Sequence, residues 1–206
     1  MTRKIRAISL TAILAIAALA IPLGIAEADT HQTMAKVVTA ETEFERIMFK
    51  TLVDLNPGIA FGYGIISDDN LNSVLVITTH KGILDSEDQT DVNDDSFHSH
   101  YVSLIDTDSS CDGYDVEYIS WQEPSVVNIR QHAAIMNNIP YDFSGTNGES
   151  GNVVDFMSSG NVTNAVTFTI DLVDDAVCIN NVTDIDDQNI RSSDDKPTDT
   201  APFPRV

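Results

Sequence analysis

His98 and His100 stand two residues apart in the run Ser96-Phe97-His98-Ser99-His100-Tyr101-Val102-Ser103-Leu104. Side chains two positions apart share one face of an extended strand, so the two imidazoles project together. Imidazole nitrogen is a good ligand for zinc or copper. A third histidine, His80, ends the preceding apolar run Val74-Leu75-Val76-Ile77-Thr78-Thr79. His80 shares a face with Thr78, Val76 and Val74, and the face of His98 and His100 continues with Val102 and Leu104. Both faces grade from polar to apolar in the same sense. Paired as antiparallel neighbours, whose cross-strand side chains lie ~4.5–5.5 Å apart, the two runs would bring His80, His98 and His100 to one spot. The spacing predicts a three-histidine site for zinc or copper, with metal cations as partners. Asp85, Glu87 and Gln89, early in the connecting loop, are candidate acceptors for the free imidazole N–H groups.

The histidine set does not follow the cupin arrangement, which needs a Glu shortly after the second histidine. Tyr101, Val102, Ser103, Leu104 and Ile105 stand there instead. An alpha-type carbonic anhydrase needs a third histidine downstream. His132 is downstream, but alternation groups it with Asn128 and Arg130 on a polar face, where an exposed histidine is expected. No nucleophile elbow, HExxH or phosphate loop occurs, and Gly62-Tyr63-Gly64 lacks the third glycine of a dinucleotide fingerprint. Metal-assisted hydrolysis or oxidation is the only catalysis with a footing in these residues.

Two acidic stretches offer oxygen ligands. Asp85–Asp95 is one. In the other, Asp106, Asp108 and Asp112 form a candidate calcium loop. An EF-hand is excluded, because Ile119 occupies the place of the bidentate Glu. The alternative function is therefore a non-catalytic extracellular interaction or structural module with calcium-stabilised loops.

Arg3, Lys4 and Arg6 precede an apolar stretch from Ala7 to Ala26, and Ala26-Glu27-Ala28 has the small-x-small form of a signal-peptidase site. Residues 1–28 read as a cleaved signal peptide, with an N-terminal membrane anchor as the alternative. Either way the remainder is expected at the cell surface or outside the cell. The chain of 206 residues carries 11 basic and 32 acidic residues, a formal charge of −21. Such acidity repels nucleic acid and anionic membrane surfaces and concentrates cations. The two cysteines, Cys111 and Cys178, are expected to form one disulfide in an exported protein. Asn161-Val162-Thr163 and Asn181-Val182-Thr183 mark Asn161 and Asn181 as candidate glycosylation sites.

Residues 29–40 read as a polar lead-in. From Glu41 to Asp54, Phe44, Ile47, Met48, Phe49 and Leu52 recur at helical spacing, so one N-terminal helix is expected there, stopped by Asn56-Pro57-Gly58. Beyond it the period becomes two. Strands are expected at 59–67, 73–80, 98–106, 116–122, 126–136, 165–173 and 177–184, separated by turn-forming residues. The fold class is mainly β, an antiparallel β-sandwich or jelly roll, forming one domain over 41–190. Residues 191–206 read as a disordered acidic tail.

Overall fold

A computed structural model describes residues 34–106, 111–173, 176–185 and 190–191. The expected signal peptide and all but the first residue of the expected tail lie outside them, as does Asp108. Thirteen strands follow one another: β1 (Met34–Thr39), β2 (Glu43–Lys50), β3 (Phe61–Ser67), β4 (Val74–Thr79), β5 (His98–Asp106), β6 (Tyr114–Ile119) and β7 (Asn128–Arg130) come first. They continue as β8 (Ala133–Pro140), β9 (Asp142–Thr146), β10 (Val153–Met157), β11 (Val162–Val173), β12 (Ala176–Asp184) and β13 (Ile190–Arg191). There is no helix among the described residues.

In place of the expected sandwich or jelly roll, six strands close into a barrel in the order β11-β12-β6-β5-β4-β3, joined by antiparallel pairings. A five-stranded sheet, β13-β1-β2-β8-β7, packs against one side of it, and β9 and β10 form a separate hairpin. The only parallel pairing among the described strands is that of β1 with β13. The expected lead-in thus contains a strand whose Ala35 and Val37 are buried, and β9 and β10 lie between the expected strands 126–136 and 165–173, in a stretch expected to be turn-forming. The run expected as one strand over 126–136 is split between β7 and β8 by a turn at Gln131, whose φ is 45°.

The expected helix over Glu41–Asp54 is strand β2. Along β1 the pairing steps from Val38↔Arg46 to Thr39↔Phe44, so Glu45 is an extra residue, a β-bulge. The bulge lets Phe44 and Ile47, three apart, both turn inward, which imitates helical spacing. Phe49 then resumes the period of two.

Strand alternation sorts the barrel's side chains into two cores. Phe61, Tyr63, Ile65, Leu75, Ile77 and Tyr101 point outward and meet Phe44, Ile47, Phe49 and Met136 of the five-stranded sheet. Val74, Val76, Val102, Val166, Phe168 and Ile170 point into the barrel. Gly62 and Gly64 occupy inward positions of β3. A side chain at Gly62 would lie 2.5 Å from the Phe168 ring, so the glycine makes room for that phenylalanine to cross the lumen.

One seam of the barrel is weak. Strand β12 pairs with β6 through only Cys178↔Asp115 and Ile179↔Tyr114. The expected Cys111–Cys178 disulfide forms there, with its Cα atoms 5.3 Å apart. At Gly113 a side chain would collide with the Ile179 carbonyl, so the approach of the two segments requires glycine. A disulfide fits an oxidising or extracellular location. No helix among the described residues is long and apolar enough to cross a membrane.

Candidate metal centre

Strands β4 and β5 pair with Val76 opposite His100 and Thr78 opposite His98. This register puts both histidines on the inward face, at the end of the barrel where the apolar lining stops. His80 follows the last residue of β4 and meets them there. The loop from Lys81 to Phe97 then folds back over the barrel end and inserts Asp85. All four side chains are buried, with relative exposures of 1% for His80 and His98, 0% for His100 and 6% for Asp85.

The three ring Nε2 atoms converge on the Asp85 carboxylate. His80 Nε2 lies 3.2 Å from Oδ2, His98 Nε2 lies 3.2 Å from Oδ1, and His100 Nε2 lies 3.6 Å from Oδ1. His80 and His98 bring their Nε2 atoms within 3.1 Å of each other. Four ligands set tetrahedrally at ~2.0–2.1 Å from a zinc ion stand ~3.3–3.4 Å apart, so these separations match the edges of a metal coordination shell. The tightest group is His80, Asp85 and His98, whose ligating atoms all lie within 4.8 Å of one another. His100 reaches the same carboxylate oxygen as His98, at the longer distance, and lies outside that tightest group.

The backbone fixes which nitrogen each ring turns inward. His98 donates from Nδ1 to the Ser96 carbonyl at 2.8 Å, and His100 donates from Nδ1 to the Ser120 carbonyl at 2.8 Å. A carbonyl only accepts, so in the neutral rings the Nε2 lone pairs face the carboxylate. Buried lone pairs facing a carboxylate repel it unless positive charge stands between them, supplied by protons or by a metal ion. The Thr78 hydroxyl, 3.2 Å from His98 Nε2, can donate to that ring alone. Asp85 Oδ1 and His100 Nε2 have no hydrogen-bond partner among the described residues, nor does His80 Nδ1.

Burial pushes the Asp85 carboxyl up, but the charge of His100 and the contacts with all three imidazoles outweigh it and hold the group well below the usual carboxylate range. Burial pulls His98 down, yet the hydrogen bond and charge of Asp85 more than reverse this and raise it. The imidazoles around Asp85 thus favour its ionised form.

Of the expected acceptors for the imidazole N–H groups, Asp85 meets the imidazoles, its carboxylate lying against all three Nε2 atoms, while Glu87 and Gln89 do not. Backbone carbonyls take the Nδ1 atoms of His98 and His100, and Asp85 also stands among the candidate ligands. Gln89 positions Asp85: its Oε1 accepts from the Asp85 and Ser86 N–H groups at 2.9 and 3.2 Å, and its Nε2 donates to the Asp94 carbonyl at 3.3 Å. Glu87 is exposed and contributes its backbone N–H to the Trp121 carbonyl at 2.9 Å. The Asp94 carboxyl accepts from Ser96 N–H at 3.0 Å and from Thr90 N–H at 3.1 Å, and these bonds hold it below its usual range. The acidic loop is therefore a folded cap.

Sequence reasoning missed Glu123. Its carboxylate accepts from the Ser86 hydroxyl at 2.7 Å, beside the inserted Asp85. Burial lifts its carboxyl, although Ser86 and the charges of His98 and His100 oppose the rise. Nothing in the local pattern Gln122-Glu123-Pro124 signals this role, which arises from the approach of two loops distant in sequence.

The other candidates lie elsewhere. Asp106 and Asp112 are exposed, and neither joins a metal-ligating cluster among the described residues. Asn161 and Asn181 are exposed, their side-chain amides donating to Asp68 at 2.6 Å and Thr169 at 2.9 Å. His132 is exposed, 3.4 Å from Asp54. No protein-family model matches the chain, nor does any curated protein or any solved structure.

Proposed function

We propose that this chain is an exported metal-binding protein that holds a transition metal at the capped end of its barrel, through His80, His98, His100 and Asp85. The observation that carries the reading is the inward-facing Nε2 set of His98 and His100, fixed by carbonyl acceptors and aimed with His80 at one ionised carboxylate. Zinc or copper(II) suits three nitrogens and one oxygen, and no thiolate competes because both cysteines are in the disulfide. Four protein donors fill a tetrahedral shell, which favours a structural or carrier role over metal-assisted hydrolysis or oxidation. The acidic surface would draw cations toward the site and repel nucleic acid and anionic lipid.

Elemental analysis of the purified protein, then of chelated and zinc-reloaded samples, tests this directly. One equivalent of zinc or copper is expected, with a His98→Ala variant losing it. A folded wild-type protein that takes up neither metal would mean that protons alone neutralise the cluster.

A further inference from the structure

We infer that the barrel lumen is a binding site for a small, uncharged, mainly apolar molecule of about benzene size. A barrel of six strands is narrow enough for side chains to fill it, since even eight strands leave an interior just wide enough to be filled. This one keeps a cavity of about 150 Å³. Its lining is built from short side chains: β4 and β5 contribute Val74, Val76 and Val102, and β6 and β12 contribute Val116 and Val177. Phe168 spans part of the space and leaves the rest open. An apolar cavity of ~150 Å³ stays dry and takes up benzene or xenon.

The cavity has a way in. Past the two residue pairs that join β6 to β12, the strands part, and an outer groove of about 730 Å³ opens along the seam. Groove and cavity share Asp85, Val116, Ile119 and Val177 in their walls. The groove is also lined by Asp115, Glu117 and Glu149 and by no Lys or Arg, which disfavours anions. Away from the capped end the cavity is lined mainly by Val, Ile, Leu and Phe, with Asn164 and Asp184 among them, which favours a guest without charge. An uncharged ligand passes both filters. Bound in the lumen, it would rest against His80, Asp85 and His100 at the capped end. The inference stands whether or not an ion occupies that end.

Benzene titrated into the full folded protein, with valine methyl groups followed by NMR, tests it. Saturable one-site shifts at Val76, Val102 and Val166 are expected, and benzoate should bind at least tenfold more weakly. Val102→Phe should reduce benzene affinity at least tenfold while circular dichroism stays unchanged; if that variant does not fold, the milder Val76→Ile should reduce it at least threefold. No saturable shift in folded wild type, equal binding of benzoate, or full affinity in a folded filled variant would overturn the proposal. Metal content measured on the same samples separates the two readings. Benzene binding without metal uptake leaves the lumen site and removes the metal centre, and the reverse result does the opposite.

Discussion

The two faces of β4 and β5 differ sharply. Outward, Leu75, Ile77 and Tyr101 belong to a dense aromatic layer shared with the five-stranded sheet, where Phe49 stacks on Tyr63 at 4.8 Å between ring centroids. Inward, the same strands present valines around a cavity and histidines around a buried anion. Tight packing stabilises and specifies; voids and buried polar groups cost free energy. The division suggests that the outer layer holds the strands in place, so that the lumen tolerates features that would weaken an ordinary core. The largest expected effect follows from this. Phe49→Ala should lower stability by about 3–5 kcal/mol, read by denaturant unfolding. A loss below 1 kcal/mol would mean that the outer layer is not what supports the barrel.

The disulfide comes next, because it fastens the one seam at which the inner face is poorly closed. Its cysteines are 67 residues apart, and a loop of that length corresponds to ~4 kcal/mol in the chain-entropy account. Reduction, or the paired Cys111→Ala and Cys178→Ala changes, should cost most of that in guanidinium unfolding. It should also widen the groove between β6 and β12, seen as faster amide exchange in Tyr114–Ile119. Unchanged exchange there would show that backbone pairing suffices to keep the seam shut.

Metal removal tests the inner face alone. An ion bound at a hundredfold excess over its dissociation constant stabilises the folded state by ~2.7 kcal/mol. Chelation should therefore lower the melting temperature by ~5–10 °C in a domain of this size. His98→Ala should make the melting temperature insensitive to both chelator and added zinc. If the variant still responds, the ion is bound elsewhere.

The inner face was the more legible in sequence, and for a physical reason. His80, His98, His100, Val74, Val76 and Val102 obey strict alternation on paired strands, and period two survives in the folded barrel. The outer layer was less legible, because its sheet depends on irregularities. The bulge at Glu45 made Phe44 and Ile47 imitate a helix, and the turn at Gln131 divided one apolar run into two strands. Asp85 was visible as an acidic residue near the histidines, but its insertion depends on Gln89 anchoring the loop backbone. Closure of the barrel depends on pairings between strands distant in the chain, such as β3 with β11, which local patterns do not encode.

The smallest effect bears most directly on the contrast between the faces. Val102 is buried in the lumen at 3% relative exposure, slightly above nearly all the outward core residues. Its side chain borders open space, however, so its methyl groups have fewer partners than those of a close-packed residue. Val102→Ala removes the equivalent of two methylenes, worth ~1.5 kcal/mol when fully packed. The expected loss is therefore about 1 kcal/mol, below what the same deletion costs in a filled core and well below that of Phe49→Ala. Chemical unfolding of Val102→Ala beside Val37→Ala, the same deletion in the outer core, checks this under one set of conditions. Equal losses would mean that the lumen is as tightly packed as the outer layer, and that no space remains in it for a guest.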